Sequence, residues 1–310
     1  MHLADVLRDR SDRSDPSDRS DSSSRSDPSA RSRSNLLAAV ALLSFAGVAI
    51  IYLVAVRTRV GQRIDDVAFN RRSVVTAATT QATDRLLGTV SVASLFVVGG
   101  AIVLVGVARR RVVLAIGCGF AMSAAVLTTE ALKLSVLGRP QFGVIGVSGN
   151  SYPSGHATIG MVLSLGLVMV APLRLRRMAL FAAAVGSAAF GTAVLSSGWH
   201  RPSDTIGAYL VSLGWFATMS VVVIQYEHRR GAARPLEPNP PTSRPLLAVA
   251  ATLAFGLLMF VLWRSVSASG LRTVVWGSPY IAACVMIDVV GILVVGMFYV
   301  LDRTSASAAI

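Results

Sequence analysis

Residues 112–137 read VVLAIGCGFAMSAAVLTTEALKLSVL, a run in which Glu130 and Lys133 are the only charges. As a helix it is long enough to cross a bilayer core of about 30 Å. Because that core holds no water, the backbone must satisfy its own N–H and C=O groups, which a helix does. Seven more apolar runs of this kind follow the same logic: Leu36–Val56, Leu87–Ala108, His156–Leu173, Met178–Ser197, Asp204–Tyr226, Leu246–Trp263 and Pro279–Leu301. The sequence thus predicts an all-α, polytopic membrane bundle.

Composition points the same way. Over 310 residues, 53% are apolar and 15% charged, against roughly 25% charged in a soluble domain. A water-exposed surface cannot be covered with so much hydrocarbon. The net charge of +13 is carried by short clusters between apolar runs. Such clusters read as membrane-flanking loops rather than a nucleic-acid face. Cys118 and Cys284 both lie within apolar runs, which excludes a disulfide framework or a cysteine metal site. No His/Asp/Glu cluster of metal-binding design stands out either, and no cofactor is called for.

Residues 1–35 are built from Ser, Asp and Arg, with seven Arg offsetting seven Asp. Having almost nothing to bury, this tail is expected to be disordered. A six-helix core is expected over 36–226. The Pro- and Arg-rich stretch 227–245 reads as a linker, and 246–310 as a two-helix addition. Between the first two runs, Arg57–Leu86 has room for a short interfacial helix. The clusters Arg109–Arg111 and Arg174–Arg177 favour one side for both, and with it a cytoplasmic N-terminus.

With that topology, four helix ends meet at the extracytoplasmic face, and they carry polar residues a membrane segment normally lacks. The third run closes with KLSVLGRP, containing Lys133, the only lysine among 29 basic residues, and Arg139. The fourth opens with SYPSGH, Ser151 to His156. The fifth runs into WHRPSD, Trp199 to Asp204, from which the sixth starts. Ionisable groups at such positions are functional candidates. In SYPSGH, Ser151 is placed to cap and Pro153 suits a first helical turn. Gly155 lets backbone amides approach an anion at the positive helix end, with His156 facing it. In HRPSD, Asp204 lies four residues after His200, able to hold one ring nitrogen and leave the other free to attack. Lys133 and Arg139 supply cations for phosphoryl oxygens. Glu130, three residues before Lys133, is placed to pair with it. Trp199 reads as an interfacial belt residue. Asp288 is an acid inside the last run with no basic residue in its own stretch.

The combination resembles the type 2 phosphatidic acid phosphatase family, relatives of the vanadium haloperoxidases and bacterial acid phosphatases. That family carries K-x6-RP, PSGH and SR-x5-H-x3-D at the outer ends of these core helices. The likeness covers roughly Val112–Tyr226. PSGH alone is a weak signal, but here His200 of H-x3-D follows His156 by 44 residues and both motifs border membrane runs. The resemblance implies hydrolysis of a lipid phosphate or isoprenoid diphosphate, without a metal. His200 would be the nucleophile forming a phosphohistidine, Asp204 its orienting partner, and His156 the general acid. Lys133, Arg139, Ser154 and the Gly155 amide would bind the phosphoryl oxygens. A phosphotransferase built on the same residues, or a non-catalytic lipid-phosphate binder or transporter, stands as an alternative; vanadate peroxidase chemistry is the weakest.

Two departures stand out. Five residues, not six, separate Lys133 from Arg139, and Ala193-Val194 replaces the family's Ser-Arg. Either Arg201, directly after His200, supplies the missing cation, or the site is slower or takes a substrate whose own headgroup changes the charge balance.

Overall fold

The computed structural model describes residues 28–71, 75–89, 95–142, 149–230 and 278–303. Among these it is all-helical. The elements are α1 (Pro28–Ile51), α2 (Arg59–Asn70), α3 (Ala77–Thr89), α4 (Gly100–Ala108), α5 (Val112–Ala131), α6 (Gly155–Val170), α7 (Arg176–Ser196), α8 (Pro202–Arg229) and α9 (Pro279–Arg303). Wide π-type turns extend α1 over Tyr52–Val56 and α5 over Leu132–Val136, and one leads into α4 over Leu95–Gly99. Five helices are long and apolar enough to cross a membrane: Arg31–Val56, Val112–Val136, Leu173–Ser196, Pro202–Arg229 and Pro279–Asp302. Leu95–Ala108 and Gly155–Val170 are shorter apolar helices. The chain is a multi-pass membrane protein.

α8 is the axis of the bundle, packed against α1, α5, α6 and α9. Its Tyr209, Val211, Leu213, Phe216 and Ala217 are buried in one continuous apolar core. Small residues on the neighbouring helices, among them Ala121, Ala125, Ala157 and Ala183, let the backbones approach. The opposite sides of the outer helices stay apolar and exposed, as at Leu42, Leu43, Phe120 and Phe181, the pattern expected of a lipid-facing surface.

Both ends of the bundle are closed by polar contacts. At the end opposite the histidines, Asp302 of α9 takes Arg33 of α1 (3.3 Å) and Arg176 of α7, while Arg33 also donates to the Leu301 carbonyl at 2.9 Å. Arg109 donates to the Val170 carbonyl at 2.7 Å, capping the end of α6. Taking one partner from such a buried pair would leave an uncompensated charge.

Several sequence expectations change here. α1 begins at Pro28, inside the stretch assigned to a disordered tail, because Arg33 has a buried partner at the other terminus of the chain. Residues 1–27 lie outside the described residues, as does the seventh run, Leu246–Trp263. Leu87 does not start the second span. It belongs to α3 and is fully buried against Ala193 and Val194 of α7. The segment Arg57–Leu86 holds two helices rather than one, with α3 running on to Thr89. α9, from the two-helix addition, packs into the same core as α8 through Ile287, Val294, Val295 and Phe298.

Candidate functional site

The site is assembled where α5 and α7 end and α6 and α8 begin. Its first member comes from the wide last turn of α5, where Leu137 N–H reaches the Leu132 carbonyl at 2.8 Å and Lys133 projects from the turn. Helix C-termini leave carbonyls without partners. Asn150 supplies donors to them: its Nδ2 donates to the carbonyls of Lys133 (3.2 Å), Leu137 (3.0 Å) and Tyr152 (3.1 Å). This ties the end of α5 to the segment that enters α6. One turn further in, Thr129 and Thr158 share a buried hydroxyl pair at 3.0 Å.

α6 starts at Gly155, capped by Ser154, whose Oγ accepts from Ala157 N–H at 3.2 Å. Ser151, the residue placed to cap by sequence, does something else: it donates to Asp204 Oδ2 at 2.6 Å. Pro153 accordingly precedes the cap instead of occupying the first turn. Ser154 N–H donates to the Asp204 carbonyl at 3.0 Å, so the openings of α6 and α8 are stitched together. Lys133 Nζ sits 2.7 Å from Glu130 Oε1, the pair expected from spacing. A Cβ on Gly155 would lie 2.8 Å from that carboxylate and 3.6 Å from Lys133 Nζ, which places the lysine at the α6 N-terminus.

The turn after α7 depends on Gly198, which takes φ +70°, a conformation glycine adopts freely. Val194 C=O then receives Trp199 N–H (3.2 Å) and His200 N–H (3.4 Å), swinging His200 over the helix end. His200 Nδ1 lies 3.4 Å from Asp204 Oδ2, a long contact without the alignment of a full hydrogen bond. Trp199 packs edge-on against His156, ring centroids 4.8 Å apart, so it borders the site as well as the surface. His156 in turn interacts electrostatically with His200 and Lys133.

Asp204, fully buried in the first turn of α8, is the hub. It accepts from Arg139 Nη2 (3.2 Å), Ser151 Oγ (2.6 Å) and Arg201 N–H (3.0 Å), besides facing His200. Arg139 is 3% exposed at its side chain, yet among the described residues its Nε and Nη1 have no hydrogen-bond partner. Burial holds its pKa below the ordinary arginine value; Asp204 opposes that shift and the nearby Arg201 adds to it.

Arg201 is placed differently from the expectation. Its guanidinium is buried, with Nε 2.5 Å from Asp66 of α2 and the plane over Phe69. It reaches the site already paired and is no free surrogate cation. The position where the resembled family has arginine is held by Val194, fully buried against α3, so a guanidinium there would be desolvated.

Sequence reasoning missed α2's contribution. Asp65 accepts from the Ser203 N–H (3.2 Å) and hydroxyl, and Gln62 donates to the Pro140 carbonyl at 2.9 Å. The one available signal was Asp65-Asp66 within an otherwise apolar and basic helix pattern. Asp288, which had no partner in its own stretch, accepts from Thr192 of α7 at 2.7 Å.

Burial, reinforced by the charge of Asp204, pushes Asp65 up to about 7. A folded value above the unfolded one means the folded state holds the proton more tightly. The stabilisation is complete below the unfolded value of 3.8 and is lost as pH rises through about 7. Thermal unfolding in detergent is expected to show a falling midpoint across that window, and Asp65→Asn should flatten the fall. An unchanged pH profile in the variant would remove Asp65 as its source.

No family model, curated protein or solved structure matches the chain.

Proposed function

We propose that the chain is a membrane phosphatase that hydrolyses a lipid phosphate monoester or diphosphate through a phosphohistidine on His200. The observation that carries this reading is the buried Arg139 guanidinium, which shares Asp204 with His200 and has two nitrogens without a hydrogen-bond partner among the described residues. Buried donors are nearly always satisfied, so two left over on a guanidinium that shares a carboxylate with an imidazole suit an anion.

The steps follow from the chemistry of the groups. With its proton on Nδ1 facing Asp204, His200 attacks phosphorus through Nε2. As the P–N bond forms, the bond to the leaving oxygen breaks and His156 gives that oxygen its proton. Water then attacks phosphorus, His156 takes the water's proton, and the P–N bond breaks to release phosphate and free His200. Lys133, Arg139 and the α6 N-terminus stabilise the non-bridging oxygens, where charge accumulates. Ser154 contributes by capping α6, and Arg201 by fixing the turn that carries His200. A site among helix ends at the membrane surface, on the extracytoplasmic side if the N-terminus is cytoplasmic, meets lipid headgroups by lateral diffusion.

Val194 and the paired Arg201 favour a second reading, a lipid-phosphate binder that does not turn over, because one cation fewer faces the phosphate. Phosphate release by the purified protein from isoprenoid diphosphate, phosphatidic acid and phosphatidylglycerol phosphate separates the two. Release is expected and should survive EDTA, since imidazole attack and the Lys133 and Arg139 charges draw on no metal. Binding without release supports the second reading, and loss of release in EDTA would require a different mechanism. Transfer of phosphate to an added lipid acceptor in preference to water would make the chain a phosphotransferase.

A further inference from the structure

α2 is built inside out for a surface helix. Its polar residues Gln62, Asp65 and Asp66 are buried, while Val60, Ile64 and Val67 are 67%, 68% and 49% exposed. At spacings of four and three residues these three form one apolar stripe. The charges that remain outside are all positive: Arg57, Arg59, Arg63 and Arg71 are exposed, whereas both acids face inward. α2 also follows directly on Val56, the end of a membrane-spanning helix, with Thr58 capping it through Gly61 N–H at 3.0 Å.

Each buried polar residue of α2 grips the chain one position from a member of the candidate site. Gln62 holds Pro140, next to Arg139; Asp66 holds Arg201, next to His200; Asp65 holds Ser203, next to Asp204.

We propose that α2 is an interfacial helix that docks on anionic lipid headgroups through Arg59 and Arg63, with Val60, Ile64 and Val67 in the acyl boundary, and so sets the geometry of the His200 site. The occupant is fixed by charge complementarity: an apolar stripe flanked only by cations suits a negatively charged bilayer surface. The docking stands on α2 alone; its effect on turnover rests on the phosphatase reading.

The test uses the full chain in lipid nanodiscs of phosphatidylcholine, with and without phosphatidylglycerol. A spin label is attached to Ile64→Cys, and the signal of the identically treated protein without that substitution is subtracted. The label is expected to collide more with oxygen than with a water-soluble nickel chelate, and to move deeper when phosphatidylglycerol is present. R59Q/R63Q should abolish that deepening. Release from a lipid phosphate at fixed mole fraction should rise about fivefold with phosphatidylglycerol in the unsubstituted protein and not in R59Q/R63Q. A label in water in both discs overturns the docking. Deepening that persists in R59Q/R63Q overturns the role of the two arginines. Arginine-dependent deepening without a change in release overturns the coupling to the site. If the label deepens but neither disc supports any release, the docking holds and the phosphatase reading falls.

Discussion

His200→Ala is expected to lower phosphate release by about 10⁴-fold or more, because it removes the atom that bonds to phosphorus and no neighbour can take its place. His156 is edge-on to Trp199 at the start of a different helix, and Lys133 is paired with Glu130. The ring itself contributes little to the fold, since among the described residues its Nδ1 makes no well-aligned hydrogen bond and its backbone N–H contact would survive truncation. The thermal midpoint of the variant should therefore stay near that of the unsubstituted protein. Radiolabelled substrate quenched in base should leave acid-labile phosphate on the protein, and none on the variant. Retention of a tenth of the turnover, or labelling of the variant, would move the nucleophile elsewhere.

The second large effect is expected at Asp204. As a buried carboxylate it accepts from Arg139, Ser151 and the Arg201 N–H, and faces His200. Asparagine keeps the shape but turns one acceptor into a donor and removes the negative charge. One of the surrounding donors must then lose its partner, and Arg139 loses its counter-charge. The stability cost is on the order of 3 kcal/mol. Turnover per folded molecule should fall about 10³-fold as well, because the imidazolium formed in the first step is no longer stabilised. Measuring rate and folded fraction on the same preparation separates the effects. A variant that is destabilised but turns over normally when folded would reduce Asp204 to a strut for the α8 opening.

The residues that converge were legible in the sequence because helices alternate in direction. Once Val112–Leu137 and its neighbours are read as spans, Lys133, His156, His200 and Asp204 must fall at one end of the bundle. Glu130 and Lys133 pair because three residues on a helix bring side chains together. The partners of these residues were not legible. By sequence Ser151 suits a cap, and only the backbone path through Pro153 shows that Ser154 caps while Ser151 reaches Asp204. Arg201 looks like a spare cation in sequence because nothing around it announces that Asp66, 135 residues earlier, lies against it.

Run length and helical period alone establish an all-α membrane bundle and the end of it at which its polar residues gather. Both follow from local quantities, the length of apolar runs and the period of the helix, which a bilayer solvent makes decisive. Which charge meets which emerges only from packing: Arg139 with Asp204, Arg201 with Asp66, Arg33 and Arg176 with Asp302. Those pairings join residues from 65 to 269 positions apart. Coulomb attraction and burial depend on distance in space, and helix packing rather than chain order sets that distance.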